Sequence, residues 1–363
     1  MSNMAQMIME GASIGSVKLD RHYDHENGAA LIAMECAEAL NAIFEDVFYV
    51  PNTCTISAAM EGATCVEESS QAAIMEAALK GALAKIKQFF INLKEKVKEF
   101  LHSIKRYLLG IFGNDEKWVK QYEKELNALS GSDLKDYKVK MYNYTIEAAI
   151  SADALASKAD SMIAEAEKAI AAAKAASHGN RADNDNLEDD LKEKSDKTYK
   201  DFISDLCGKA VDEDEFDKEI WSKMRGGADG ENDKDDVDVA GKKSAFIAAL
   251  KSSTKDAAAY DKCIAKTDSM YQKAIKTVDK AQKDFEGLKT DDNGVAKDGN
   301  DFYGTGSRQY VSAALRQLSS TLSRMQSAEN KAWNAAKSAL VERNSAYKKA
   351  LVGAFAYARE NKK

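Results

Sequence analysis

One proline, Pro51, in 363 residues is the feature that most constrains what this chain can fold into. At the ordinary ~5% usage a chain of this length would carry roughly 18. Proline breaks helices and forms turns, so its near-absence, with abundant alanine and 12 methionines, predicts long uninterrupted helices. It argues against a turn-rich β-sandwich and against a proline-rich disordered chain. The expected fold is all-α, an elongated bundle of long antiparallel helices with at most a minor β element near 137–146. There, Tyr137, Val139 and Met141 alternate with Lys138 and Lys140 without an evident partner strand.

The net charge of -7 hides four blocks of alternating sign. Residues 1–76 are an acidic leader of net -10, and residues 77–178 carry +4. Residues 179–242 form an acidic, loop-rich insertion of net -10, and residues 243–363 carry +9 and read as a long helical hairpin. In the insertion, helical pieces are expected around 187–206 and 213–224. The hairpin is expected to run as one helix from Lys243 to Leu288 and a second from Ser307 to about Glu360. The second would reach about 80 Å, which implies an elongated bundle or a coiled-coil contact with another chain.

The sharpest periodic segment follows the leader. Leu79, Leu83, Ile86, Phe90, Leu93, Val97, Phe100, Ile104, Tyr107 and Ile111 recur at alternating spacings of four and three, a heptad seam thickened by Phe89, Leu101 and Leu108. Lys80, Lys85, Lys87, Lys94, Lys96, Lys98, Lys105 and Arg106 occupy the rest of the helix, with Gly110 and Gly113-Asn114 as its expected stop. Three roles fit such a helix: a bundle element packed through its seam, a helix lying on a membrane surface, or an arm that neutralises nucleic-acid phosphates. DNA or a membrane surface would be met through residues 77–111.

Little chemistry is encoded. Five cysteines form no CxxC pair, and His22 and His25 sit in the leader at a spacing too weak to define a metal site. The acidic clusters depart from the EF-hand pattern at Lys234 and Leu187. There is no P-loop, GxSxG, HExxH or GxGxxG, and Gly304-Thr305-Gly306 reads as a turn. The expectation is a non-enzymatic protein with no cofactor and no metal. The N-terminus has neither the basic start nor the continuous apolar core of a secretory signal, and no run is apolar enough to span a bilayer.

Within the leader, Met-Glu before a small residue occurs at Glu10, Glu35, Glu61 and Glu76, twice with isoleucine ahead of it: Ile8-Met9-Glu10-Gly11 and Ile74-Met75-Glu76-Ala77. Met-Glu does not recur after residue 76. This leader, the lysine- and phenylalanine-rich helix, Trp118-Val119-Lys120-Gln121-Tyr122-Glu123-Lys124-Glu125-Leu126, and Tyr137 through Thr145 together resemble the virion structural (internal) proteins of large tailed bacteriophages. The resemblance covers about residues 1–146. It implies a prohead maturation protease that cuts after Glu in an (Ile/Leu)-x-Glu pattern, at Glu76-Ala77 and at Glu10-Gly11; Glu35 and Glu61 follow Ala-Met and depart from the pattern. It further implies a protein made in the host cytoplasm and carried in the capsid interior, with other virion proteins, or copies of itself through its long helices, as partners. Removing 1–76 would leave residues 77–363 at +3 and expose the basic amphipathic helix toward packaged DNA, the capsid interior or a membrane. A membrane-active helical protein of the pore-forming or remodelling class, and a plain coiled-coil scaffold, are the alternatives.

Overall fold

The computed structural model describes residues 68–146, 152–176, 187–286 and 301–361. The leader residues Glu10, Gly11, His22 and His25 lie outside the described residues. Helix occupies 82% of the described chain, with one small two-stranded antiparallel sheet, so the fold is all-α with a minor β element. In chain order the elements are α1 (Glu68–Gln121), α2 (Glu123–Ala128), β1 (Lys138–Met141), α3 (Ala152–Ala176), α4 (Leu187–Cys207), α5 (Phe216–Met224), β2 (Asp235–Asp238), α6 (Val239–Lys251), α7 (Ser253–Ala258), α8 (Tyr260–Glu286) and α9 (Asp301–Asn361).

Cross-helix contacts give the directions. Lys105 meets Asp261, Lys98 meets Asp268 and Lys87 meets Asp279, so α8 runs antiparallel to α1. Asp160 and Glu167 of α3 meet Lys273 and Thr277 in the same order, which places α3 parallel to α8. Ser195 and Asp196 of α4 meet Thr321 and Arg324, and α1 meets α9 through Tyr107–Lys337 and Asp115–Lys348; both pairs are parallel. The result is an up-down-up-down-up bundle of α1, α3, α4, α8 and α9.

Helix α9 is its axis. Between Ala314 and Leu340 only Lys331 is exposed, and Leu315, Leu318, Leu322, Met325, Ala332, Trp333, Ala336 and Leu340 all lie in the main core. The apolar seam expected from the sequence is therefore covered by this chain's own helices. At 61 residues α9 extends about 90 Å. Its C-terminal part enters a second, smaller core with Trp118, Val119, Tyr122, Leu126, Val239 and Phe246, so α1 and α9 both pass from the larger core into the smaller one.

Several boundaries differ from the expectation. Gly110 and Gly113-Asn114 do not stop α1, which runs on to Gln121. A glycine inside a helix costs about 1 kcal/mol relative to alanine. Burial of Leu108, Phe112, Trp118 and Val119 on either side outweighs that cost. The helix expected from Lys243 to Leu288 is instead three, broken at Ser252 and Ala259. At the first break, Ser252 Oγ and Ser253 Oγ donate to the carbonyls of Ala248 and Leu250, local bonds that compete with the helical ladder. Gly304-Thr305-Gly306 has helical backbone within α9 rather than forming a turn.

β1 does have a partner. It pairs with β2 in the register Lys138↔Asp238, Val139↔Val237, Lys140↔Asp236 and Met141↔Asp235. Lysines directly opposite aspartates offset the poor strand propensity of an Asp-rich segment. Asp238 then turns the chain into α6, accepting from the backbone N–H groups of Ala240 at 3.1 Å and Gly241 at 3.3 Å.

Candidate functional site

The basic amphipathic helix is the candidate that the sequence puts forward, and its two faces have separate fates in α1. Ile86, Phe90, Leu93, Val97, Phe100 and Ile104 are all buried, with Phe90 and Val97 fully inaccessible. Leu83, Phe89, Leu101, Leu108 and Phe112 join them in the main core. Phe90 faces Tyr271 of α8 with ring centroids 6.2 Å apart. The heptad seam is thus a packing surface, and its thickening by Phe89 and Leu101 lets α1 meet more than one neighbour.

The lysines flanking the seam meet a complementary row on α8. Lys105 Nζ donates to both carboxylate oxygens of Asp261 at 2.6 and 2.7 Å. Lys98 lies 3.2 Å and Lys94 3.7 Å from Asp268, and Lys87 lies 2.6 Å from Asp279. The hydrogen bond to Asp268 raises the Lys98 ammonium above its ordinary value. Arg106 Nε donates to the His102 carbonyl of its own helix at 3.4 Å. Lys85 and Lys96 also carry interactions, and the Lys80 side chain lies outside the described residues. Exposed ion pairs contribute only about 0.2–1 kcal/mol each. Their effect here is on pairing: an antiparallel α8 is matched in charge, and a shifted one is not.

Glu76 and Ala77 have helical backbone in the third turn of α1.

The buried chemistry lies elsewhere. Glu329 of α9 is fully buried, its Oε1 has no hydrogen-bond partner, and desolvation holds its carboxyl well above the usual carboxylate range. Cys263 of α8 faces it, a free thiol pushed up to about 12 by burial and then by Glu329. One turn away, Tyr271 Oη donates to Gln326 Oε1 at 3.0 Å, and Gln326 Nε2 donates to Asn330 Oδ1 at 3.0 Å. Nearer the small core, Asp115 of α1 and Lys348 of α9 form a buried pair at 3.6 Å, each side chain 5% exposed. Asn344 Nδ2 lies 3.4 Å from Asp115 Oδ2, and the Lys348 ammonium sits 5.0 Å from the Trp118 ring centroid. These groups join helices and are shielded from solvent, so they serve packing and register.

Asp261, Asp268, Asp279, Glu329 and the Asp115–Lys348 pair were not picked out by sequence reasoning. The signal available for the aspartates was their spacing: 261 and 268 are seven apart, as are the lysines 98 and 105 that they meet. Among the described residues no group of three or more His, Cys, Asp or Glu side chains could hold a metal ion, and no helix is long and apolar enough to cross a membrane. Comparisons with protein-family models, with curated proteins and with solved structures find no match for this chain.

Proposed function

We propose that this chain is a non-enzymatic structural protein of a tailed-phage virion, carried in the capsid interior and matured by cleavage between Glu76 and Ala77. The observation that carries the reading is the position of that bond. Ile74-Met75-Glu76-Ala77 matches the cleavage pattern of the resembled proteins, and the bond lies at the boundary between the acidic leader and the basic helix. Cleavage there removes the -10 leader and changes the net charge from -7 to +3. A protease takes its substrate extended, so cleavage requires the turns of α1 from Glu68 through Ala77 to unwind. The protein's partners are then other virion components, met as a folded bundle.

This bundle also shapes what maturation can do. Turning the apolar seam of α1 out of the bundle into water would forfeit the burial of Leu83, Ile86, Phe90, Leu93, Val97, Phe100, Ile104, Leu108 and Phe112. At about 1.5–3 kcal/mol per side chain that is on the order of 15–25 kcal/mol. Contacts with DNA or with the capsid wall are therefore made by the outer faces of the bundle. Intact-mass spectrometry of protein from purified particles tests the reading. A mature chain beginning at Ala77 is the expected result, and full-length protein in mature virions overturns it.

A further inference from the structure

Helix α8 carries a row of exposed lysines outside its ion pairs with α1. Lys262, Lys276, Lys280 and Lys283 are all exposed, and among the described residues none of the four takes part in an ion pair. At 100° per residue they fall within an arc of about 60° and span about 32 Å along the helix. The aspartates that meet α1, at 261, 268 and 279, are centred about 80° around the same helix. The core face of α8, with Cys263, Met270, Tyr271, Ala274 and Val278, is on the remaining side. Lys266, Lys273 and Asp284 border the row on its other side, and Lys273 is held by Asp160 of α3 at 2.7 Å.

We propose that this lysine row is a binding surface for the phosphate backbone of double-stranded DNA. It is straight and held on a helix packed into the core, and its length is close to the ~34 Å of one duplex turn. Lysines placed as point charges without base-reading side chains suit sequence-independent contact, whose free energy comes from releasing condensed counterions. A lipid surface is the poorer fit, because surface helices insert an apolar face and the apolar face of α8 is in the core. Among the described residues the one exposed large hydrophobic side chain is Leu109, on α1. The inference deepens the virion reading by naming the polyanion and the surface that meets it, and it does not depend on cleavage at Glu76.

Fluorescence anisotropy of the full chain with a 30-base-pair duplex, from 25 to 200 mM salt, tests it. Four phosphate contacts give a slope of log K against log salt of about -3.6. Lys262→Gln/Lys276→Gln and Lys280→Gln/Lys283→Gln are each expected to flatten that slope by about two and to weaken binding at least tenfold at low salt. Their circular dichroism melts should match the parent, since these side chains are exposed. Lys138→Gln/Lys140→Gln, on β1, is expected to leave DNA binding unchanged. Wild-type binding by both α8 variants overturns the proposal. So does binding of the chain to phosphatidylserine vesicles without binding to the duplex. Cleavage at Glu76 is read separately from particle mass, so either idea can fail alone.

Discussion

Replacing Asp115 with leucine leaves the Lys348 ammonium buried opposite an apolar group. Both side chains are 5% exposed in the parent, the pair is 3.6 Å apart, and the amide of Asn344 is the other polar group at the carboxylate. Breaking one side of a buried pair costs about 3–5 kcal/mol, whereas replacing both partners by packed apolar residues is close to neutral. Asp115→Leu and Lys348→Met are each expected to lower stability by about 4 kcal/mol, and the double variant to recover most of that loss. In a domain of this size each kcal/mol moves the melting temperature by about 2–4 °C, so each single variant should melt about 10 °C lower. Urea denaturation measures the first and a thermal melt the second, both followed by tryptophan fluorescence because Trp118 lies under Lys348. Single-variant losses below about 1 kcal/mol, or additive losses in the double variant, would show that the pair does not join α1 to α9 across a dry interface.

Other consequences follow from individual groups. Glu329 has a raised folded-state pKa, so its contribution is full below the ordinary carboxyl range and is lost as pH rises through the folded value. Glu329→Gln should match the parent near pH 4 and gain about 1–3 kcal/mol at pH 8; denaturation at both pH values that shows a constant difference counts against a neutral buried acid. Gly226 sits at φ 71° with the Asn143 carbonyl where a Cβ would go, so Gly226→Ala should destabilise by about 2 kcal/mol or more. A variant at that position with unchanged urea midpoint would contradict the geometry. Burial raises Cys207 to about 11 and Cys263 to about 12, so neither thiol should react with a disulfide reagent in native buffer, and labelling located by peptide mass should reach them only on unfolding.

The seam of α1 was legible because it is local: one helix writes its buried face at spacings of three and four. What the lysines were for was not. Their partners are more than 150 residues away on α8, and Asp261, Asp268 and Asp279 become meaningful only once the antiparallel pairing is known. The glycines at 110 and 113 were misread as a stop because local propensity was weighed without Trp118 and Val119, which bury the helix beyond them. β2 was invisible for the opposite reason. Asp-Asp-Val-Asp has no strand propensity of its own and is extended because Lys138 and Lys140 face it. The outward lysines of α8 can be read from the sequence at spacings of three, four and seven. Apolar periodicity drew attention to the other face of the same helix.

The central claim, that the basic amphipathic helix is an integral strut of the bundle, is open to direct measurement by amide hydrogen exchange on the full-length protein. Peptides covering Leu83–Phe112 of α1 are expected to exchange slowly and together with those covering Leu315–Leu340 of α9, since both segments belong to one core. Fast exchange along Leu83–Phe112 while Leu315–Leu340 remains protected would contradict it, and would make α1 a separable arm.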